Sequence, residues 1–293
     1  MKQKYSYFSR DVSAFFLIEE VQNSPEHIQE ELLVHNLFEH LDFTILLEEG
    51  PVAKACCLLK ESHLLPNFPE ELRKEAGIIL AEEQEHSFQY DNTKGFVCET
   101  TGLYPIEDIE KPAFILRLEQ IIAQSSPELS QWASLFFTII SETLITKQLS
   151  GISCDVSVHP FVRELLTKHA KDEAKHRAFF NSVFIYIWTE LPPSIKEEVR
   201  ELLLQLLLAY LLPDESYITA TLKRYEHVLG KSQDRIQRIL SHPKTRERVF
   251  NAALPTLKIF NDQKIFEDIS SKDTFYKRTQ HLSFDVSGKL VRS

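Results

Sequence analysis

The chain of 293 residues is 43% hydrophobic, enough to bury a large core, and carries a formal net charge of −10. No block of Lys or Arg offsets that charge, which argues against nucleic acid and anionic membrane surfaces as partners. Seven glycines, about 2% against the roughly 7% usual in globular proteins, leave few sites for tight β-turns or phosphate-cradling loops, so the composition favours helices.

The first residues, Met1 to Asp11, contain no apolar stretch of the signal-peptide kind. The longest greasy run, Leu202 to Leu212, is interrupted by Gln205 and is too short to span a bilayer. A soluble, cytoplasmic protein is expected. Cys56, Cys57, Cys98 and Cys154 form neither a CxxC pair nor a disulfide framework, and are expected to be buried free thiols.

In chain order, the first predicted helix starts at Ser24-Pro25, with Ser24 as N-cap and Pro25 at the first helical position. Leu37, Leu41, Ile45, Glu48, Val52, Ala55 and Leu59 keep a helical period, which puts Glu48 on an otherwise apolar stripe. Gly50-Pro51 is expected to bend or interrupt this helix, because Pro lacks an amide donor and clashes with the preceding turn. Asn67 to Pro69 opens a second helix, in which Leu72, Ala76, Ile79 or Leu80, Glu83, His86 and Tyr90 are in phase, followed by a connection over 92–105. A third helix is predicted from Ile106 to Gln124, and Ser126-Pro127 starts a fourth in which Leu135, Ile139, Glu142 and Thr146 share a face. Gly151 to Pro160 reads as a loop, and a long helix then runs to Pro192-Pro193. Further helical patterns occupy 194–211, 214–229, 232–240 and 244–260, with weaker periodicity from about Ser270.

The long helix before Pro192 carries His169, Glu173 and His176, which at about 100° per residue fall within roughly a 60° arc. One object could be held by all of them. Glu83 and His86 form a second Glu-x-x-His pair, and Glu48 and Glu142 are single acids on apolar faces. A Glu from each of two helices plus Glu-x-x-His from each of two others is the inventory of ferritin-like di-iron bundles. Four carboxylates neutralise two divalent cations, whereas four buried acids with no counter-charge would be very costly unless protonated. Glu49 rivals Glu48 but fits the apolar stripe less well. Glu82 and Glu85 are expected to be solvated neighbours, and Asp172 lies one residue out of phase.

His169 is a seventh donor beyond that inventory. Glu48, Glu83-x-x-His86, Glu142 and His169-x-x-x-Glu173-x-x-His176, at intervals of 35, 59 and 27 residues, resemble the ligand pattern of the p-aminobenzoate N-oxygenase family over roughly residues 30–190. The resemblance implies an all-α, ferritin-like four-helix di-iron bundle with additional C-terminal helices. The chain would then be a single domain over 1–293, with a metal-binding bundle at about 25–190 and helices at about 194–262 packed on it. It also implies that two iron ions take up O2 and oxygenate the nitrogen of a small-molecule amine, giving hydroxylamine, nitroso or nitro products in secondary metabolism; the histidine and carboxylate donors themselves suit manganese as well as iron, which leaves manganese in one position as an alternative. Electrons would come from an external reductase, since the chain shows no flavin, haem or nicotinamide motif.

Two other functions compete with N-oxygenation: a di-iron oxygenase acting on carbon, and an iron-binding or storage protein. Phe136, Phe137, Phe179 and Phe180 read as ordinary core or as the lining of an aromatic pocket. Arg163, Arg177 or an arginine within 244–250 could meet a substrate carboxylate or simply be solvated. Leu202 to Leu212 is a buried helix face or a homodimer contact. His27, His35, His40, His63, His159, His227, His242 and His281 have no companion pattern.

Overall fold

The structure, a computed structural model, describes residues 5–61, 65, 67–107, 109, 111–266, 273, 275, 282–284 and 290–292. His63 and His281, and most of the weakly periodic tail, lie outside the described residues. Among the described residues the fold is all-α apart from a short antiparallel pair, β1 (Leu282–Phe284) and β2 (Leu290–Arg292). Among the described residues no helix is long and apolar enough to cross a membrane.

A short α1 (Glu19–Gln22) leads into α2 (Glu26–Leu47). Ser24 does not cap this helix: its Oγ donates to the Val21 carbonyl at 2.8 Å, and Pro25 occupies the cap position. At Gly50-Pro51 the helical path continues without a break. Glu48–Val52 forms a π-helical turn that absorbs Pro51 and continues into α3 (Ala53–Glu61). The wider turn accommodates a residue that offers no amide hydrogen and crowds the carbonyl one turn back.

Next, α4 spans Glu70–Thr101, so most of the connection expected over 92–105 is helical. Thr93 and Val97 are buried in continuation of the stripe through Tyr90, and this packing outweighs the propensity loss of about 1 kcal/mol at exposed Gly95. The helix ends at Gly102, whose φ of +70° permits the left-handed cap and whose amide donates to the Cys98 carbonyl. The third predicted helix starts later than Ile106: α5 spans Ala113–Gln124, after Pro112. Asp214, about a hundred residues away, fixes that start by accepting the Ala113 amide at 2.7 Å while its other oxygen caps Tyr217 at 2.9 Å.

Ser126 caps α6 (Pro127–Ser153), which runs through Gly151 and shortens the loop expected there. His159 caps α7 (Pro160–Glu190), and Pro193 opens α8 (Pro193–Leu211). The 214–229 pattern divides into α9 (Glu215–Arg224) and α10 (Glu226–Leu229). They are followed by α11 (Gln233–Ser241) and α12 (Pro243–Asp262), the latter capped by His242.

Four long segments make the bundle. The α2–π turn–α3 segment packs on α4, α4 on α7, α7 along most of α6, and α6 back on the π turn and α3. Leu37 and Phe38, Ala76 and Ile79, Phe136 and Phe137, and Phe180 and Phe184 meet in its core. Helix α8 lies against α5 and α6, and Leu202, Leu203, Leu206 and Leu207 are buried within the chain, so the greasy run is an internal helix face. A smaller core joins Phe15, Val21 and Leu32 to Ile218, Leu222 and Ile239. Of the cysteines Cys56 is buried, but Cys57 and Cys154 are exposed and Cys98 is intermediate, contrary to the expectation that all would be interior.

Candidate metal centre

Glu48 is the first residue of the π turn, Glu83 and His86 lie on α4, Glu142 on α6, and His169, Glu173 and His176 on α7. All seven are buried, none more than 3% exposed, and the bundle brings them together at its centre. Glu48, Glu83, His86, His169 and Glu173 form one group and Glu83, Glu142, Glu173 and His176 a second, with donor atoms in each group within 4.8 Å of one another. Glu83 and Glu173 belong to both. Glu49 is exposed, so of the two candidates on this turn Glu48 is the one in the cluster.

The histidines do not all face the same way. His176 turns Nδ1 to Glu83 at 3.0 Å and Glu173 at 3.2 Å, and His86 turns Nδ1 to Glu83 at 3.2 Å. His169 instead turns Nε2 inward, 2.9 Å from Glu173 and 3.2 Å from Glu48. On their outer sides, His176 Nε2 lies 2.9 Å from Glu82, His86 Nε2 lies 3.5 Å from Asp172, and His169 Nδ1 lies 2.6 Å from the Tyr90 hydroxyl. Ser87 donates to Glu48 Oε2 at 3.1 Å.

Glu82 and Asp172 are therefore more than solvated or out-of-phase neighbours: each holds a histidine of the opposite helix. Their signal was in the sequence, since an acid precedes the glutamate in both Glu-x-x-His pairs. Tyr90 was in phase on α4, but periodicity alone could not distinguish it from core. Glu85 does face solvent, where it accepts from Gln89.

The buried acids and imidazoles shift one another's proton affinities. Burial, reinforced by Glu173 and Glu83, pushes the Glu142 carboxyl well above its ordinary value. Burial also raises Glu48 to about 7, against the pull of a hydrogen bond from His169. For Glu173 burial is outweighed by hydrogen bonds from His169 and His176, which hold it low. His176 is raised to about 12, because Glu173 and Glu83 overcome the opposing effect of burial.

The donor set fits a pair of cations. Glu142 Oε2 and Glu173 Oε2 are buried without a hydrogen-bond partner, and Glu48 Oε1 and Glu83 Oε1 meet only the inner imidazole nitrogens of His169 and His176, at 3.2 and 3.0 Å. Buried polar atoms are ordinarily satisfied, and orphaned carboxylate oxygens are among the costliest exceptions. Two divalent ions would satisfy all four oxygens and balance four negative charges, and mixed carboxylate and imidazole donors suit iron and manganese.

The surroundings are aromatic on one side. Phe43, Phe114, Phe137 and Tyr210 pack ring to ring beyond Glu142, with centroids 4.6–6.1 Å apart. Burial, then the carboxylates of Glu142 and Glu173, raises the Tyr210 phenol well above its usual value. Phe136, Phe179 and Phe180 are core residues as well. On the opposite side, a surface depression of about 540 Å³ between α4 and α7 has His86, Glu82 and Asp172 in its lining.

The arginines lie apart from the donors. Arg177 lines a surface cleft with Asn181 and Lys258, Arg163 is half-buried on α7, and Arg246 is exposed. Arg248 binds the backbone carbonyls of Val12 and Ser13.

A family model described as P-aminobenzoate N-oxygenase AurF matches residues 2–263. No curated protein matches the sequence.

Proposed function

The chain belongs to the p-aminobenzoate N-oxygenase family, a family with a ferritin-like di-iron helical fold, and from that premise we propose that it is an O2-dependent oxygenase acting on the nitrogen of a small-molecule amine. The observation that carries this reading is the set of seven buried donors, in which one oxygen of Glu142 and one of Glu173 have no hydrogen-bond partner. In this proposal Glu48, Glu83, His86, His169 and Glu173 would hold one iron ion and Glu83, Glu142, Glu173 and His176 the other. Iron held there would supply oxygen activation, with electrons from a separate donor protein.

The chain's own residues do the rest. Glu82 and Asp172 orient the outer nitrogens of His176 and His86, which keeps the inner nitrogens free to coordinate. Ser87 fixes one Glu48 oxygen and leaves the other facing the cluster. The Phe43, Phe114, Phe137 and Tyr210 rings keep water from the Glu142 side, where an apolar amine would be shielded. The bundle at about 25–190 and the helices at about 194–262 are taken as one domain, because α8 supplies Tyr210 to this wall.

The test is to load the purified chain with Fe2+ without oxygen, measure iron per chain, admit O2, and offer a panel of aryl and aliphatic amines with mass detection of products. Two irons per chain, lost in Glu83→Ala and reduced in His176→Ala, with oxygen added to nitrogen, is the expected result. A chain that takes up no iron would sink the proposal, and oxygen found on carbon would move the assignment to the other oxygenase class.

A further inference from the structure

We infer that Tyr90 is a positioning residue that fixes which nitrogen of His169 carries the proton, and that this makes His169 the most weakly donating of the three imidazoles. The inference rests on the two-metal reading of the cluster and adds to it an unequal division of labour among the histidines.

His169 is 2% exposed, so both ring nitrogens must find partners within the protein. Nε2 faces Glu173 at 2.9 Å and Glu48 at 3.2 Å, while Nδ1 has the Tyr90 hydroxyl at 2.6 Å. An imidazole holds a cation only through an unprotonated nitrogen, and the partner of the other nitrogen decides which one that is. A cation between Glu48 and Glu173 therefore requires the proton on Nδ1, where the phenolic oxygen of Tyr90 accepts it. The two rings meet edge to face, with centroids 5.1 Å apart and planes at 87°, so the contact also fixes the tilt of the imidazole.

The contrast with the other histidines gives the arrangement a consequence. His86 and His176 turn Nδ1 inward and set Nε2 against carboxylates, Asp172 and Glu82. A carboxylate draws on the imidazole proton and strengthens the ring as a donor. A neutral phenol draws on it far less. His169 is thus held to its cation through one hydroxyl group and belongs only to the five-residue group, so its loss would be felt by one ion and not by the other. Tyr90 sits on α4 four residues beyond His86, so the helix that supplies two donors also props a donor of α7.

The test is a titration of the metal-free chain with Co2+ in the absence of oxygen, following ligand-field absorption for wild type, Tyr90→Phe, His169→Ala and the double variant. Phe keeps the fully buried ring and removes only the hydroxyl. The expected result is that Tyr90→Phe weakens one of two binding steps by about 10–100-fold, the scale of lost partners behind metal ligands, and leaves the other step unchanged. In the His169→Ala background the same substitution should add nothing. Wild-type binding by Tyr90→Phe, equal weakening of both steps, or an additive effect in the double variant would each overturn the assignment to Tyr90 while leaving the two-metal reading in place. A wild-type chain that takes up no Co2+ would overturn both.

Discussion

At the scale of single residues, the cluster depends on side chains that never touch its centre. Glu82→Gln and Asp172→Asn keep size and hydrogen-bonding capacity but remove the charge behind His176 and His86. Each is expected to weaken divalent-cation binding by about 10–100-fold. Both acids are partly exposed, so the metal-free melting temperature should hardly move, and equilibrium dialysis with Mn2+ separates the two effects. His35 makes a different kind of prediction. It is buried against Tyr225, with Nε2 3.1 Å from the hydroxyl, and burial, aided by the charge of Arg224, lowers its pKa to about 4. The folded value lies below the unfolded one of about 6.5, so the unfolded chain takes up the proton first. The stability linked to His35 is therefore complete above about pH 6.5 and is lost as the pH falls toward 4, by up to about 3 kcal/mol. Urea unfolding of wild type and His35→Gln at pH 7 and pH 4.5 should show a smaller acid loss in the variant; equal losses would remove His35 from the account. The seven donors were legible in the sequence because an acid or imidazole on an apolar stripe is an anomaly. Glu82 and Asp172 left a weaker trace, an acid just before the glutamate of each Glu-x-x-His pair, because residues on the water-facing flank of a helix look alike whether or not they reach across to a neighbour.

At the scale of elements, the π turn is the feature with the clearest mechanical content. A π turn adds one residue to a helix without changing the faces on either side. Alanine inserted after Gly50 would rotate α3 by about 100°, expose Cys56 and Leu59, and bury Lys54, which is now exposed. It is expected to abolish cooperative folding. Deleting Gly50 together with Pro51→Ala restores an ordinary helix in the same phase and should retain a cooperative thermal transition. If the insertion melts like wild type, the π turn does not set the phase of α3. Helix identity was readable from periodicity, and the start at Pro127 from its Ser-Pro pair. Boundaries set by distant partners were not. The beginning of α5 depends on Asp214, and the extension of α4 to Thr101 depends on what covers Thr93 and Val97. Neither fact resides in the local segment.

At the scale of the whole molecule, the family match over residues 2–263 is wider than the 30–190 span on which the ligand pattern rests. The packing supplies the reason: α8 covers the bundle, and α12 lies on α6 and α8. A chain whose centre concentrates four acids should gain stability from cations. With free metal at a hundred times its dissociation constant, each independent site contributes about 2.7 kcal/mol. For a chain of this length that corresponds to a rise of several degrees in melting temperature, reversed by a chelator. Thermal scans with and without Mn2+ check this, and coincident curves would contradict a cation site at the centre. The depression over His86 has a consequence for how the molecule communicates with its surroundings. Bulk water stands one imidazole ring away from the acids at the α4/α7 seam, whereas on the Glu142 side a layer of aromatic rings and α8 intervene. The protein therefore has a thin wall and a thick one, and protons or ions exchanged with the medium have their shortest route through the thin one.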